Sequence, residues 1–278
     1  VHPITEGVTG ISTDGTVSFL ESRRFTIPAR IVVQENRGPA HARNAGVRAS
    51  SGGLVAFLGD DTVPDPRWVS AHCEAHRGRG NPPKLAVLGH TGWHTRLRPT
   101  PFLAYLNDYG KQFGYALIDD PEDLPFQLFY ASNLSLRREL VLREPFDERF
   151  RHAMWEDTEL GYRLMRRHAV RLVYEPRARA QHDHPTDLER FARRQELSGE
   201  VANLFYELHP EQGPMLGLSP AGPISLPSPR FHRVRRAILR GLEPFPFRTV
   251  RQWERVLMYH YVVGLHRGWS RSRMRSPR

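Results

Sequence analysis

Cysteine and lysine are nearly absent from this chain, and so are long apolar runs. One cysteine, Cys73, stands in 278 residues, which excludes an internal disulfide and favours a reducing compartment. No apolar run approaches the ~18 residues that read as a bilayer span, and no signal-peptide pattern is visible. A cytoplasmic protein is therefore expected, with the cytoplasmic membrane face as the other location in view. Lys84 and Lys111 are the only lysines, so the net charge of +10 is carried almost wholly by arginine. Such usage is a poor argument for nucleic acid, and no nucleic-acid partner is expected. It can still favour nucleotide diphosphates, acidic acceptors or anionic lipid headgroups. With 39% hydrophobic residues the chain can bury one substantial core, and one α/β domain with helical additions is expected before two independent domains.

What the chain does have is concentrated in LVAFLGDDTVPDPRWV, Leu54 to Val69. An apolar strand ends on two adjacent carboxylates and then breaks on Pro64 and Pro66. Ligands of open α/β sheets gather at the carboxyl ends of such strands. Asp60 and Asp61 can serve one site only if the chain has already turned, which Gly59 and Pro64 make easy. Two hard oxygen ligands suit Mg²⁺ or Mn²⁺ with substrate phosphates, and a polar turn capping the strand is the plainer alternative. The residues before it, Ile31 to Asp61, read as strand, Gly-containing loop, helix over Ala42 to Ser50, Gly-Gly break and strand, a βαβ unit. Arg43 and Asn44 stand at the start of that helix, a natural phosphate cradle.

Further along, Glu156 to Arg167 has Leu160, Leu164 and Met165 at helical spacing. Glu156, Asp157 and Glu159 occupy its first turn and Arg163, Arg166 and Arg167 its last, the polarity a helix dipole favours. By themselves Glu156 and Asp157 read as capping acids. After the strand-like run Arg171 to Ala180 come His182 and His184, which share one face if the chain stays extended, and imidazole can ligate a divalent ion. A His-rich surface turn is the alternative there.

The order of these pieces resembles glycosyltransferase family 2. Asn36, Gly38, Ala42, Arg43, Asn44 and Gly46 stand where that family has Asn-x-Gly and Ala-Arg-Asn-x-Gly, followed by Asp60 and Asp61 for its Asp-x-Asp-type metal site. Tyr130 to His168 resembles its acceptor-side region, with an Asn-x-Ser strand, a Phe-Asp-Glu-x-Phe segment and a Glu-Asp pair opening a helix. Ser12 and Asp14 fall in a stretch like the end of Asp-Asp-Gly-Ser-x-Asp-x-Thr, whose leading acids would fall on Thr9 and Gly10. The resemblance covers about residues 11 to 200. It implies a GT-A fold, a mixed and mainly parallel sheet flanked by helices, and sugar transfer with inversion from a nucleotide-sugar to a carbohydrate, lipid-linked or protein acceptor. It also implies Asp157 as general base with Glu156 orienting it or the acceptor. Asn36, Arg43, Asn44, Asp60, Ser12 and Asp14 would hold the donor, and Asp60, Asp61, His182 and His184 a Mg²⁺ or Mn²⁺ ion. The family's first strand and helix have no counterpart before Val1, so a truncated start is expected. A non-catalytic sugar-binding or partner subunit and a nucleotidyltransferase with the same metal-diphosphate layout remain the competing readings.

The expected organisation is a catalytic domain over 1–208, with its nucleotide side in 1–95 and its acceptor side in 96–187. Residues 209–278 form a Pro-rich loop and a helical, basic extension. Helices are expected over Leu188 to Leu208, Phe231 to Leu242 and Val250 to Trp269, with a disordered basic tail from Arg267 that offers a peripheral membrane contact. The aromatics of the last helix are expected to pack inward.

Overall fold

The structure is a computed structural model that describes residues 5–10, 15–98, 100–109, 112–228, 230 and 246–275. It divides into two compact units, one formed by Val1–Arg98 with Leu106–His184, the other by Pro99–Tyr105 with Pro185–Arg278. Helix 188–208 thus belongs to the second unit.

The first unit is built on a five-stranded sheet in the order β3 (Leu54–Leu58), β6 (Asn133–Arg137), β5 (Leu85–Trp93), β7 (Arg171–His182) and β4 (Thr62–Pro64). β5 and β7 run parallel, whereas β3/β6, β6/β5 and β7/β4 are antiparallel. The mixture is therefore less parallel than expected, because β6 and β4 both run back along their neighbours. β1 (Thr5–Gly10) and β2 (Ala29–Gln34) form a separate parallel pair. The segment Ile31 to Asp61 has its expected order, β2, α2 (Pro39–Ala49), β3. Its two strands nonetheless pair with other partners, β2 with β1 and β3 with β6.

Alternation along β5 divides the core between the two faces of the sheet. Ala86 and Leu88 join Phe57, Leu134 and Leu136 against α2, α5 (Arg138–Arg143) and α6 (Glu156–His168). Leu85 and Val87 pack instead with Val173 against Ala75 of α3 (Trp68–Gly78). The register of β5 on β7 jumps between Gly89 and His90, from Glu175 to Arg179, which lets Pro176 out of the ladder. Gly89 is required at that point, since a Cβ there would collide with the Ala178 carbonyl and the Asn133 side chain. α6 ends on Ala169, a left-handed residue with φ of 51° whose N–H returns to the helix.

In the second unit α7 (Leu188–Leu208) starts on Asp187, whose carboxylate accepts from the Arg190 N–H at 2.7 Å. It packs against the last helix, α9 (Pro246–Arg275), through glycines on both sides. A Cβ on Gly199 or Gly264 would strike the backbone of the other helix. Asn203 Nδ2 donates across that contact to the Leu265 carbonyl at 3.2 Å. Trp253, Val256 and Leu257 are buried, as expected for the aromatic helix, with Trp253 against Tyr105 and Phe102 of α4 (Pro101–Asp108). The segment expected as a plain loop, 210–229, contains α8 (Gly213–Leu216) and a small hairpin of β8 (Leu218–Ser219) and β9 (Gly222–Pro223). The basic tail is helical to Arg275, a correction to the expected disorder. The helix expected over Phe231 to Leu242 lies outside the described residues.

Candidate active site

β3 ends in a tight turn in which the Thr62 N–H donates to the Gly59 carbonyl at 3.1 Å, placing Asp60 and Asp61 at its corner. β4 then pairs with the end of β7, Thr62 opposite His182. This pairing carries Asp61 to the histidines. Its Oδ2 lies 3.0 Å from His182 Nε2 and 3.5 Å from His184 Nδ1. The His182 hydrogen bond holds the Asp61 carboxyl below its ordinary range, with burial opposing and the charges of both imidazoles assisting. Asp60 is exposed at the same corner.

Among the described residues no three or more His, Cys, Asp or Glu form a ready metal cage, so the expected four-ligand set is not assembled as such. The chemistry of the donors still fits a divalent ion. One carboxylate and two imidazoles converge within 3.5 Å of a single oxygen, and a mixed oxygen and imidazole set suits Mn²⁺. His182 is buried, with Gln112 Nε2 3.3 Å from its Nδ1 and Trp93 and Phe113 packed on its ring. In the hydrogen-bond arrangement shown, Nδ1 accepts and Nε2 donates to Asp61. Ligation through Nε2 would require the other tautomer, with Gln112 offering its oxygen.

The aromatic cluster that holds His182 reaches the second acidic group. Phe113 packs edge-on against Tyr130 at 6.0 Å and stacks on Tyr115 at 5.8 Å. Next to Tyr130, the Ala131 N–H donates to Asp157 Oδ2 at 3.1 Å, and Asp157 Oδ1 accepts from the Thr158 N–H at 2.8 Å. Two backbone donors thus fix a half-buried carboxylate in orientation. A carboxylate has about four acceptor sites, so it keeps capacity for a substrate hydroxyl.

Glu156 is placed differently. It is 2% exposed, its Oε1 is 2.6 Å from Arg43 Nη1, and its Oε2 has no hydrogen-bond partner among the described residues. Burial and the Asp157 charge push its carboxyl up to about 7 against the pull of Arg43. So enclosed a side chain does not reach an acceptor; it holds Arg43, whose guanidinium also lies 5.4 Å over the Phe146 ring.

The donor-side residues separate in the structure. Asn44 is buried and spends both ends of its amide on the segment before α6. Its Nδ2 donates to the Phe146 carbonyl at 2.9 Å and to Glu148 Oε1 at 3.1 Å, and its Oδ1 accepts from the Phe146 N–H at 3.0 Å. Both amide hydrogens are thus used within the protein, and neither is left to donate to a diphosphate as expected of Asn44. Asn36 closes its own loop by accepting from the Gly38 N–H at 3.2 Å. Gly38, with φ of 96°, lies against the Arg151 backbone where a Cβ would come within 2.6 Å of the carbonyl oxygen. Ser12 and Asp14 lie outside the described residues.

Beneath the site a chain of buried polar groups ties α3 to the sheet. His76 Nε2 is 3.0 Å from Ser135 Oγ, which is 2.8 Å from His72 Nδ1. His72 Nε2 is in turn 2.9 Å from Asn133 Oδ1, which also accepts from Trp68 Nε1 at 2.7 Å. Asn133 Nδ2 donates to the His90 and Ala178 carbonyls on β5 and β7. Neutral imidazoles satisfy every link, and burial lowers both histidines to about 4. Sequence reasoning missed Gln112, Trp93 and Tyr130 as neighbours of the site.

Residues 9–81 match the family model described as glycosyl transferase family 2. Among curated relatives, the validoxylamine A glucosyltransferase of Streptomyces hygroscopicus subsp. jinggangensis is 30% identical over 177 residues, covering 55% of this chain and 42% of the relative. The chondroitin synthase of Escherichia coli is 29% identical over 152 residues, 45% of this chain and 22% of the synthase. The chain therefore spans less than half the length of these relatives. Among solved structures, S. aureus TarS aligns with a TM-score of 0.48 at 15% identity, over 93% of this chain and 48% of that one. The family-model match covers the turn that carries Asp60 and Asp61 together with the Asn36 to Asn44 segment, and over those residues the chain is similar to glycosyltransferase family 2.

Proposed function

We propose that this chain transfers a sugar from a nucleotide-sugar to an acceptor hydroxyl with inversion at the anomeric carbon, within glycoconjugate or polysaccharide synthesis. One observation carries the reading. The Asp61–His182–His184 group and the Asp157 carboxylate stand at the same end of one sheet, joined through Phe113, Tyr130 and Ala131. The relatives' names, a glucosyltransferase and a chondroitin synthase, agree with sugar transfer.

In this reading the acceptor oxygen attacks the anomeric carbon from the face opposite the diphosphate, and Asp157 takes the hydroxyl proton as the bond forms. Its two backbone hydrogen bonds fix the direction of its free acceptor sites before substrate arrives. Asp61, His182 and His184, with Asp60 at the same corner, would hold a Mn²⁺ or Mg²⁺ ion, which supplies positive charge to the departing diphosphate. Arg43 adds a second cation on the donor side, aimed by Glu156. Trp93 and Phe113 shield His182 from water, while Asp61 and His184 stay open to solvent.

The test is Asp157→Asn, which keeps the size of the side chain and removes the proton acceptor. Nucleoside diphosphate release from a panel of nucleotide-sugars with Mn²⁺ should fall by about 10²-fold or more, with donor affinity nearly constant. A variant that transfers at the parent rate would reduce Asp157 to a helix-start acid.

A further inference from the structure

A second charged site lies at the opposite end of the sheet. Ser51 to Gly53 lead into β3, Lys84 leads into β5, and Arg137 closes β6 opposite Leu54. These positions sit at the ends of their strands remote from the Asp60–Asp61 turn. Between them is a cavity of about 530 Å³ whose lining includes Lys84, Arg137, Arg138, Arg143 and His168 against one acid, Glu139.

The guanidiniums and the ammonium there are poorly neutralised, whereas His168 is paired with Glu144 at 3.0 Å. Arg137 Nη2 donates to the Asn81 carbonyl at 2.7 Å, while Arg138 donates from Nε to the Val47 carbonyl at 2.9 Å and to Ser50 Oγ at 3.1 Å. Carbonyls and a hydroxyl fix both guanidiniums without cancelling their charge. Lys84 is exposed and makes no ion pair among the described residues. Arg143 meets Glu139 at 2.6 Å, but both side chains are more than half exposed, so the pair is heavily screened. Gly52 and Gly53 present bare backbone at one wall, and the Arg137 guanidinium is 3.9 Å from where a Gly53 Cβ would stand. Preset guanidinium forks beside a mobile ammonium are the arrangement that recognises phosphate oxygens.

We propose that this cavity is a phosphate-binding site separate from the sugar-transfer centre, taking a phosphate or diphosphate group through Lys84, Arg137, Arg138 and Arg143. None of these residues belongs to the proposed transfer machinery, so the inference stands or falls independently of it. The cavity admits a group the size of a diphosphate, carried either by a small soluble ester or by a lipid headgroup.

The probe is inorganic pyrophosphate, titrated by ³¹P NMR into the full chain carrying Asp61→Asn, in EDTA, so that binding at the transfer centre is suppressed. The double variant Lys84→Gln/Arg143→Gln in that background removes two exposed charges, and circular dichroism and thermal melting verify its fold. Pyrophosphate binding should weaken by about tenfold or more in the double variant and fall with added salt. A parallel arm measures co-sedimentation with phosphatidylglycerol vesicles against phosphatidylcholine vesicles. Loss of pyrophosphate binding in the double variant supports the site with a soluble source. Loss of phosphatidylglycerol binding alone supports it with a lipid source. Equal behaviour of parent and double variant in both arms overturns it. With Asp61 intact, the double variant should release nucleoside diphosphate at the parent rate.

Discussion

Glu156→Gln offers the most exacting test of the site's electrostatics, because the structure sets two opposing effects on one carboxyl. Arg43 at 2.6 Å favours the carboxylate, while burial at 2% exposure and the neighbouring Asp157 charge favour the acid. Burial prevails, and the carboxyl rises from an ordinary 4.5 to about 7. A raised carboxyl binds a proton in the folded state that the unfolded chain has already released. Its contribution is full below pH 4.5 and is lost as pH rises through about 7. The gap corresponds to on the order of 3 kcal/mol.

Glutamine is neutral throughout and keeps an oxygen for Arg43. The stability of the parent relative to Glu156→Gln should therefore fall by about 3 kcal/mol between pH 4.5 and 8. Urea unfolding of both proteins across that range measures it. The comparison with the variant is essential, because His72 and His76 act in the opposite sense over an overlapping window and would mask the trend in the parent alone. A difference that stays constant with pH, or grows as pH rises, would show that Arg43 wins, and Glu156 would be an ordinary paired carboxylate.

The histidines supply their own test. Their folded values near 4 lie below the unfolded 6.5, so stability is complete above pH 6.5 and lost as pH falls toward 4. His72→Gln should remove on the order of 3 kcal/mol of that acid sensitivity, read from urea midpoints at pH 7 and 4.5. Asn44→Ala orphans the Phe146 N–H and C=O, both met by its amide at 3.0 Å or less. At ~1–3 kcal/mol for each unsatisfied buried group it should cost about 3 kcal/mol, and a shift of donor affinity at unchanged stability would return Asn44 to the diphosphate. Asp61→Asn should abolish most Mn²⁺-dependent binding of nucleoside diphosphate by calorimetry while melting with the parent, since the side chain is only half-buried. Unchanged affinity would make the Asp60–Asp61 corner a plain turn.

Local features of the fold could be read from the residues, and pairings could not. Glu156–His168 and Leu188–Leu208 fall where periodicity and charge polarity put them, because those signals are contained within each helix. Strand direction depends on partners far along the chain. β3 reads as the second strand of a parallel βαβ unit and instead lies at the end of the five-stranded sheet, antiparallel to β6 some eighty residues later. Asn44 shows the same limit at a single residue. Its motif position suggested a ligand, but its bonds go to Phe146 and Glu148, about a hundred residues away.

The antiparallel run of β6 also explains why the site is composite. At the acidic end of the sheet, β3 and β7 contribute their carboxyl ends, with the Asp60–Asp61 turn and His182, whereas β6 contributes its amino end at Asn133. The Leu58 and Asn133 pairing sets the residues before β6 beside the residues after β3, and the Gly59 N–H donates to the Ser132 carbonyl at 3.1 Å. Ala131, one residue earlier, can then present its N–H to Asp157 at the start of α6. A sheet with all strands parallel would have put Ala131 at the other end, beside the basic cavity. The reversal of one strand is what brings the Asp157 carboxylate and the Asp60–Asp61 turn to the same end of the sheet.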